Sequence, residues 1–487
     1  MANKVLLFGL INSAQKYLTG EMFNYKVNAT GSSLTKSQIW TIEFAKQDSP
    51  LVHIKSFFNR YIAADKDGRI TCDQEVPTPN CDFLMMLHPD GRVSFQSERS
   101  KRYLGGNQDN ITCFAQAISD SEKWVPHLVI HPSVNMFNPG RKRYLRLNEQ
   151  NGKMFCDKNQ PWGADCVMTL YFDIKEKKYA IRTATGSYIA CNGKTEPEIT
   201  NKTLYRLEIQ NGMISLKDMH GKFLSAKDYN VKTIKTSNPS TDELFTIDPS
   251  PGQISIMSLA NERYISCKPG PAVYSNVSDI KDAGNFQIMM DSTTKKVCFQ
   301  NISKHYLAVG AKGFIEVSKQ LDFHCWFQII YNCEKAALKA SDGRYVTVNA
   351  GGQLLVGPIS SGRQEEFVLK LTNRSQLILQ SEFGFVGILP GKQSLVCNRP
   401  MFEASKITST ADGFYQFKVA SLDKYWELNK EDAITATGDE PVNFTIELIT
   451  SDQMIIRGSN GKYVLAESDG SFSAAGEDAK SASLFRY

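Results

Sequence analysis

The sequence predicts an all-β protein built from four tandem β-trefoils, and three observations lead there. A basic–aromatic–aliphatic landmark recurs twelve times along the 487 residues. The stretches between landmarks alternate with the period of two that marks strands. Asn-Gly and Asp-Gly pairs punctuate those stretches, and no long helical periodicity competes with them.

The landmark appears as Lys16-Tyr17-Leu18, Arg60-Tyr61-Ile62, Arg102-Tyr103-Leu104 and Arg143-Tyr144-Leu145. It continues as Ser187-Tyr188-Ile189, Lys222-Phe223-Leu224, Arg263-Tyr264-Ile265 and His305-Tyr306-Leu307. Arg344-Tyr345-Val346, Gly384-Phe385-Val386, Lys424-Tyr425-Trp426 and Lys462-Tyr463-Val464 complete the set. Eleven steps from Tyr17 to Tyr463 give a mean period of about 41 residues. A second aromatic follows two strands and a turn later, as at Trp40, Phe83, Trp124, Phe245, Phe286, Phe367, Phe444 and Phe485. In the fourth and fifth units Met168 and Tyr205 are the best candidates for this position.

Alternation is clear in Val93–Ser97 and Ile254–Ser258. The Gly pairs include Asp67-Gly68, Asp90-Gly91, Asn211-Gly212, Asp342-Gly343 and Asn460-Gly461, read as tight hairpins with positive φ at both central residues. About four short strands per unit also describe a propeller blade, but twelve blades are too many for one ring and the Trp-Asp and Gly-His signatures are missing. Grouping units by three gives barrels of about 120 residues, a comfortable domain size. The expected domains are 1–129, 130–250, 251–374 and 375–487.

Composition is that of a globular chain, 41% apolar and 22% charged. Basic residues number 56 against 51 acidic, a net +5 that favours acidic partners slightly and falls short of a nucleic-acid stripe. Clusters such as Lys177-Lys178 and Lys295-Lys296 read as solvated turns. Eleven cysteines, with no Cys-x-x-Cys pair and no zinc spacing, read as reduced, partly buried thiols. Met1–Ile11 lacks the features of a signal peptide, and no apolar run reaches the ~20 residues that span a bilayer. A cytoplasmic protein without membrane insertion is therefore expected. Seven histidines show no ligand spacing, and Gly-x-Ser-x-Gly, Gly-x-Gly-x-x-Gly and Walker motifs are missing. No catalytic activity, metal or cofactor is expected.

The residues also resemble a known family. Phe8-Gly9-Leu10-Ile11-Asn12, Lys26-Val27-Asn28-Ala29 and Gln38-Ile39-Trp40 are similar to the N-terminal unit of fascins. So are Tyr61–Gly68, Cys113-Phe114-Ala115-Gln116, His131–Asn135, Arg141-Lys142-Arg143-Tyr144, Pro161-Trp162-Gly163 and Ala260-Asn261-Glu262-Arg263. The likeness covers the whole chain in order, best in the first third. It implies four trefoils packed as two lobes, a monomer, and binding of F-actin through at least two basic faces, giving tight parallel bundles in cell protrusions. A monomeric cross-linker needs its faces at fixed geometry, so that binding one filament raises the effective concentration for the next. The short links around Ile130-His131-Pro132 and Pro249-Ser250-Pro251-Gly252 suit rigid packing.

By that resemblance one face takes Lys16, Ser33, Lys36, Arg141, Lys142, Arg143, Arg457 and Lys462, where the first and last trefoils meet. A second takes Lys227, Lys232, Lys235, Arg263, Lys268 and Arg344. Ser33 falls where the family has a regulatory phosphorylation site; a phosphate there adds up to two negative charges. The chain departs from the family in reading Thr35-Lys36-Ser37 for a lysine run and Phe383-Gly384-Phe385 for His-Gly-Phe. Leu389-Pro390 and Leu465 stand where the family is basic. Bundling strength is therefore in question. The alternative is a carbohydrate- or protein-binding trefoil scaffold. Only Gln38-Ile39-Trp40 fits the Gln-x-Trp of trefoil lectins, and the recurring aromatics read as core packing rather than sugar platforms.

Overall fold

The computed structural model describes residues 7–45, 51–210, 212–267, 270–280, 284–291 and 293–487. Forty-nine strands and short 3₁₀ turns make up the regular structure, with no α-helix among the described residues. The strands fall into four sets of twelve, twelve, twelve and thirteen. Each set closes on itself. In the first, Leu7–Ile11 pairs with Val125–Leu128 in the register Phe8↔Leu128 to Ile11↔Val125. Ser133–Asn138 pairs with Thr246–Pro249, and Gln253–Ser258 with Glu366–Leu371. In the fourth, Gln380 pairs with Arg486. Closure removes the exposed edges that would otherwise template aggregation.

Three hairpins cap each barrel and touch one another. In the first set the bridges Ala29↔Gln108 and Arg69↔Thr112 join them; in the third, Ala272↔Glu316, Tyr274↔Gln353 and Phe314↔Leu355 complete the triangle. A six-stranded barrel with a threefold cap is a β-trefoil, and the chain holds four in tandem.

The landmark sits at the root of every hairpin. Its third residue is buried in all twelve units, 3% exposed or less, from Leu18 to Val464. The aromatic before it is buried only at Tyr17, Tyr61 and Phe223 and half-buried elsewhere, so the aliphatic rather than the ring is the constant core member. The hairpin pairing carries a register shift at the landmark in eight of the twelve units, for example between Tyr17 and Thr19 and between Tyr103 and Gly105. Such bulges strengthen the twist that a tight barrel requires. The second aromatic fills the core as expected, with Met168 and Tyr205 fully buried in its place. Phe327 serves the eighth unit, and in the tenth the position is Ser405, whose hydroxyl accepts the indole N–H of Trp426 at 3.1 Å.

The Gly turns differ from the expected hairpin type. Gly68, Gly91, Gly343 and Gly461 have positive φ, but the residues before them do not. At Gly68 an Asp side chain opens the turn instead: Asp65 Oδ1 accepts the N–H groups of Asp67 and Arg69, both at 2.9 Å, and Gly68 N–H returns to Asp65 O at 3.0 Å. The carboxylate satisfies the loop donors, so only the glycine needs the left-handed region.

Buried side chains sort the trefoils into two lobes. One apolar cluster is continuous through the third and fourth trefoils, and another joins the second to the edge of the first. The junctions repeat the same device. Tyr179 Oη accepts the Leu128 N–H at 2.8 Å, and Tyr415 Oη accepts the Leu371 N–H at 2.9 Å. Both tyrosines lie in the strand that opens their trefoil's second unit. The lobes are tied to each other by polar contacts. Arg374, 4% exposed, donates to Ser250 Oγ at 3.1 Å and to Ser250 O, and lies over the Tyr487 ring. His131 Nε2 donates to Ile378 O at 3.2 Å, while its Nδ1 accepts the Ser133 N–H. Gln253 accepts from Gly163 N–H and donates to Pro161 O, both at 2.9 Å.

Candidate functional site

The fourteen residues expected at the two faces divide by what already occupies them. Arg141 is spent on its own trefoil: its guanidinium forks onto Asp242 at 2.6 and 2.8 Å and lies against Tyr229, 5.9 Å from the ring. Lys462 pairs with Asp432 at 3.3 Å, and Arg344 forks onto Asp342 at 2.7 and 2.9 Å. Arg457 donates to Gly461 O and to Cys333 Sγ, the latter at 3.1 Å, and covers the Tyr463 ring at 5.5 Å. Arg143 donates to Lys142 O at 2.9 Å. The amines of Lys16, Lys36, Lys142, Lys227, Lys232 and Lys235, and the Arg263 guanidinium, have no carboxylate partner among the described residues. Of these, Lys36, Lys142, Lys227, Lys232, Lys235 and Arg263 are exposed and Lys16 is half-buried. Lys268 lies outside the described residues.

The grouping into faces is only partly visible in contacts. Arg141 stands beside Tyr229, two residues from Lys227, so members of the two expected faces adjoin within the second trefoil. Arg457 reaches across to the Cys333 hairpin of the third trefoil. The contacts of Lys227, Arg263 and Arg344 stay within their own trefoils.

Residues of the first and fourth trefoils line a common cleft at Ser33. A cleft of about 320 Å³ is lined by Ser33, Leu34, Thr35 and Phe57 of the first trefoil, Phe172 and Tyr179 of the second, and Phe383, Phe385, Arg399, Met401, Phe402 and Arg486 of the fourth. The loop carrying Ser33 is held from within. Gln38, at the end of the 3₁₀ turn Lys36–Gln38, accepts the Thr35 N–H at 3.1 Å and donates to Thr19 Oγ1 at 3.0 Å. Ser33 is half-buried, and its hydroxyl has no hydrogen-bond partner among the described residues. On the opposite wall Phe402 stands edge-on to Phe385 at 5.8 Å and to Tyr171 at 6.0 Å. The departure at Phe383 thus adds a second ring beside Phe385 in this cleft. His127 stacks on Phe172 at 4.3 Å and accepts the Tyr17 hydroxyl at 2.8 Å; burial pushes its pKa down to about 4.

A second pattern escaped the sequence reading. Six residues before the landmark aromatic, a cation lies over its ring: Lys55 over Tyr61, Arg182 over Tyr188, Lys217 over Phe223, Lys339 over Tyr345 and Arg457 over Tyr463, at 4.4 to 5.8 Å. These pairs face each other across adjacent strands. Carboxylates add to two of them: the Tyr61 hydroxyl donates to Glu43 at 3.0 Å and the Tyr463 hydroxyl to Glu447 at 2.8 Å. The six-residue offset was available in the sequence as a signal. It marks Arg457 as part of the repeat architecture.

Family comparison settles the kinship. The fascin domain family matches residues 14–125, 134–247, 260–369 and 405–487. The chain belongs to the fascin family. Among its relatives are fascin-2 of Bos taurus, 32% identical with 99% of this chain and 97% of that one covered, and fascin-2 of Mus musculus, 34% identical with 95% and 94% covered. Fascin of Strongylocentrotus purpuratus is 29% identical over 99% and 98%. The four matched fascin domains fall one to each trefoil. Among the described residues no group of three His, Cys, Asp or Glu is arranged to hold a metal, and no helix is long and apolar enough to cross a membrane. All eleven cysteines are free thiols; only Cys333 is exposed.

Proposed function

We propose that this fascin cross-links actin filaments into tight parallel bundles as a cytoplasmic monomer without catalytic activity, binding through at least two basic faces. The observation that carries this reading is the tie between the lobes. Arg374, His131 and Gln253 bind residues 90 to 247 positions away in sequence, across the lobe junction. A cross-linker gains effective concentration at its second filament only if its faces keep a set separation. Family membership supplies the partner. The unpaired cations at Lys16, Lys36, Lys142, Lys227, Lys232, Lys235 and Arg263 supply the chemistry for an acidic filament surface. Arg141, Arg344 and Lys462 contribute less, because each would have to leave a carboxylate already in place. Ser33 is the modification site in this reading.

Paired low-speed and high-speed sedimentation with F-actin across a salt series tests it. Bundles that pellet at low speed and fade with salt are expected. Co-pelleting only at high speed would leave one working face. No co-pelleting at any salt would sink the actin reading and favour a scaffold for glycans or other proteins.

A further inference from the structure

The cleft between the first, second and fourth trefoils is mostly apolar, and its charges are all of one sign. On the fourth trefoil a row runs across four adjacent strands: Arg486 pairs with Gln380, Gln380 with Phe385, and Phe385 with Arg399. All four line the cleft. Residues paired across strands share a face and stand one strand spacing apart, about 4.8 Å. Phe402 lies edge-on to Phe385 at 5.8 Å, so the half-buried Arg399 shares its wall with aromatic rings. The facing walls bring Leu34 and Phe57 from the first trefoil and Leu170 and Phe172 from the second. Among the described residues no Asp or Glu lines the cleft; its charged side chains are Arg399 and Arg486. His127 adds no charge at neutral pH, because burial holds its pKa down at about 4. Arg486 has Asp452 at 3.7 Å, whereas Arg399 has no carboxylate partner among the described residues. A half-buried guanidinium beside apolar rings is poorly solvated, and it attracts an entering anion more strongly than it would in open water.

We propose that this cleft binds a small apolar monocarboxylate, with its carboxylate on Arg399 and its chain among the rings. A carboxylate matches the planar fork of a single arginine. A phosphomonoester carries close to two charges at neutral pH. It would call for a second free cation, and Arg486 already has Asp452. The volume of about 320 Å³ lies at the lower end of the range for small-molecule sites, ~300–1,000 Å³. It equals the share of roughly ten waters in the liquid, which suits a chain of about that many heavy atoms. A medium-chain fatty acid such as decanoate meets these conditions of charge, polarity and size. Such an occupant touches both lobes, because the first two trefoils lie in one and the fourth in the other. The inference does not rest on filament binding, and either can fail without the other.

The experiment titrates the full-length protein, labelled with ¹³C at its methionine methyl groups, with decanoate below its micelle concentration. Met401 lines the cleft, whereas Met22 and Met219 are exposed elsewhere on the molecule. Met401→Leu identifies its resonance. A saturable shift of the Met401 methyl is expected, with Met22 and Met219 unmoved. Arg399→Gln should weaken binding about tenfold or more, since the ligand loses a charge-assisted pair. Arg399→Lys, which keeps charge but loses the fork, should fall between. Decyltrimethylammonium, with the same chain and the opposite charge, should bind the wild type at least about tenfold more weakly than decanoate. That comparison needs no variant, so it decides the matter even if a substitution disturbs the fold. No shift at Met401, equal affinity in wild type and Arg399→Gln, or equal affinity for the two amphiphiles would overturn the assignment. Equal movement of Met22, Met219 and Met401 would overturn it too, as unselective coating of apolar surface.

Discussion

Trp40 donates its indole N–H to the carbonyl oxygen of Leu18 at 2.8 Å, and neither side chain is exposed. Leu18 sits at the register shift between Tyr17 and Thr19, where the hairpin ladder is interrupted. Trp124 makes the same bond to Leu104 at 3.1 Å, again at a bulge. Tyr205 reaches Ile189 O at 3.1 Å through its hydroxyl. The landmark and the second aromatic are therefore two ends of one fixture.

Trp40→Phe tests that fixture. The ring stays, but Leu18 O loses its donor in a buried site and a small void opens. The expected cost is about 2–3 kcal/mol, from the unsatisfied carbonyl and the void together. Urea unfolding followed by far-UV circular dichroism measures it. A change below ~0.5 kcal/mol would mean the carbonyl finds another partner.

The twelve landmarks, the strand count and the grouping by threes were legible because each unit must bury its own face against its neighbours, and that demand writes a period into the chain. Leu18, Ile62 and Leu104 show it directly. The bulges were not legible, since a register shift depends on the partner strand rather than on local composition. Nor were the lobe ties. Arg374 looks like any surface arginine in sequence, and only the fold brings Ser250 and Tyr487 around it. The candidate faces were legible as a family pattern of cations, but which of them are already paired, as Arg141 is with Asp242, is settled by side chains about a hundred residues away.

That pairing makes a prediction about charge. The double variant Lys227→Glu/Lys232→Glu removes two exposed, unpaired cations and adds two opposed charges. Actin co-sedimentation should weaken about tenfold or more, and the salt dependence should flatten. Arg344→Gln removes a cation already neutralised by Asp342, so its effect should stay within about threefold. Equal losses in the two variants would show that pairing in the free protein does not rank the contacts.

His131 predicts an acid limb in the stability curve. It is buried beneath the lobe junction, and burial together with the Arg374 and Arg486 charges holds its pKa down at about 3. The unfolded chain, with a histidine near pKa ~6.5, binds more protons than the folded one between those values. The neutral ring's contribution is thus complete above pH ~6.5 and is lost as pH falls toward about 3. Between pH ~6.5 and ~5 the slope from this residue approaches about 1.4 kcal/mol per unit. His131→Gln keeps a donor for Ile378 O and should remove that slope. An unchanged slope would assign the limb to other groups.

Arg374 gives the sharpest test of the link between rigidity and function. It is a buried cation with no carboxylate among its described partners; Ser250 and the Tyr487 ring stand in for one. Desolvation lowers its pKa to about 10. Arg374→Met removes the charge and the bonds to the segment joining the lobes while keeping much of the side-chain volume. Each lobe retains its own apolar cluster, so the trefoils should stay folded. Calorimetry should then show the lobes melting as two separated transitions. High-speed co-pelleting with actin should persist, because the cations of each face remain, while low-speed bundling falls several-fold as the second face loses its set distance. Loss of both assays together would point to general unfolding. Retention of both, with split melting, would mean that bundling does not need the lobes held rigid.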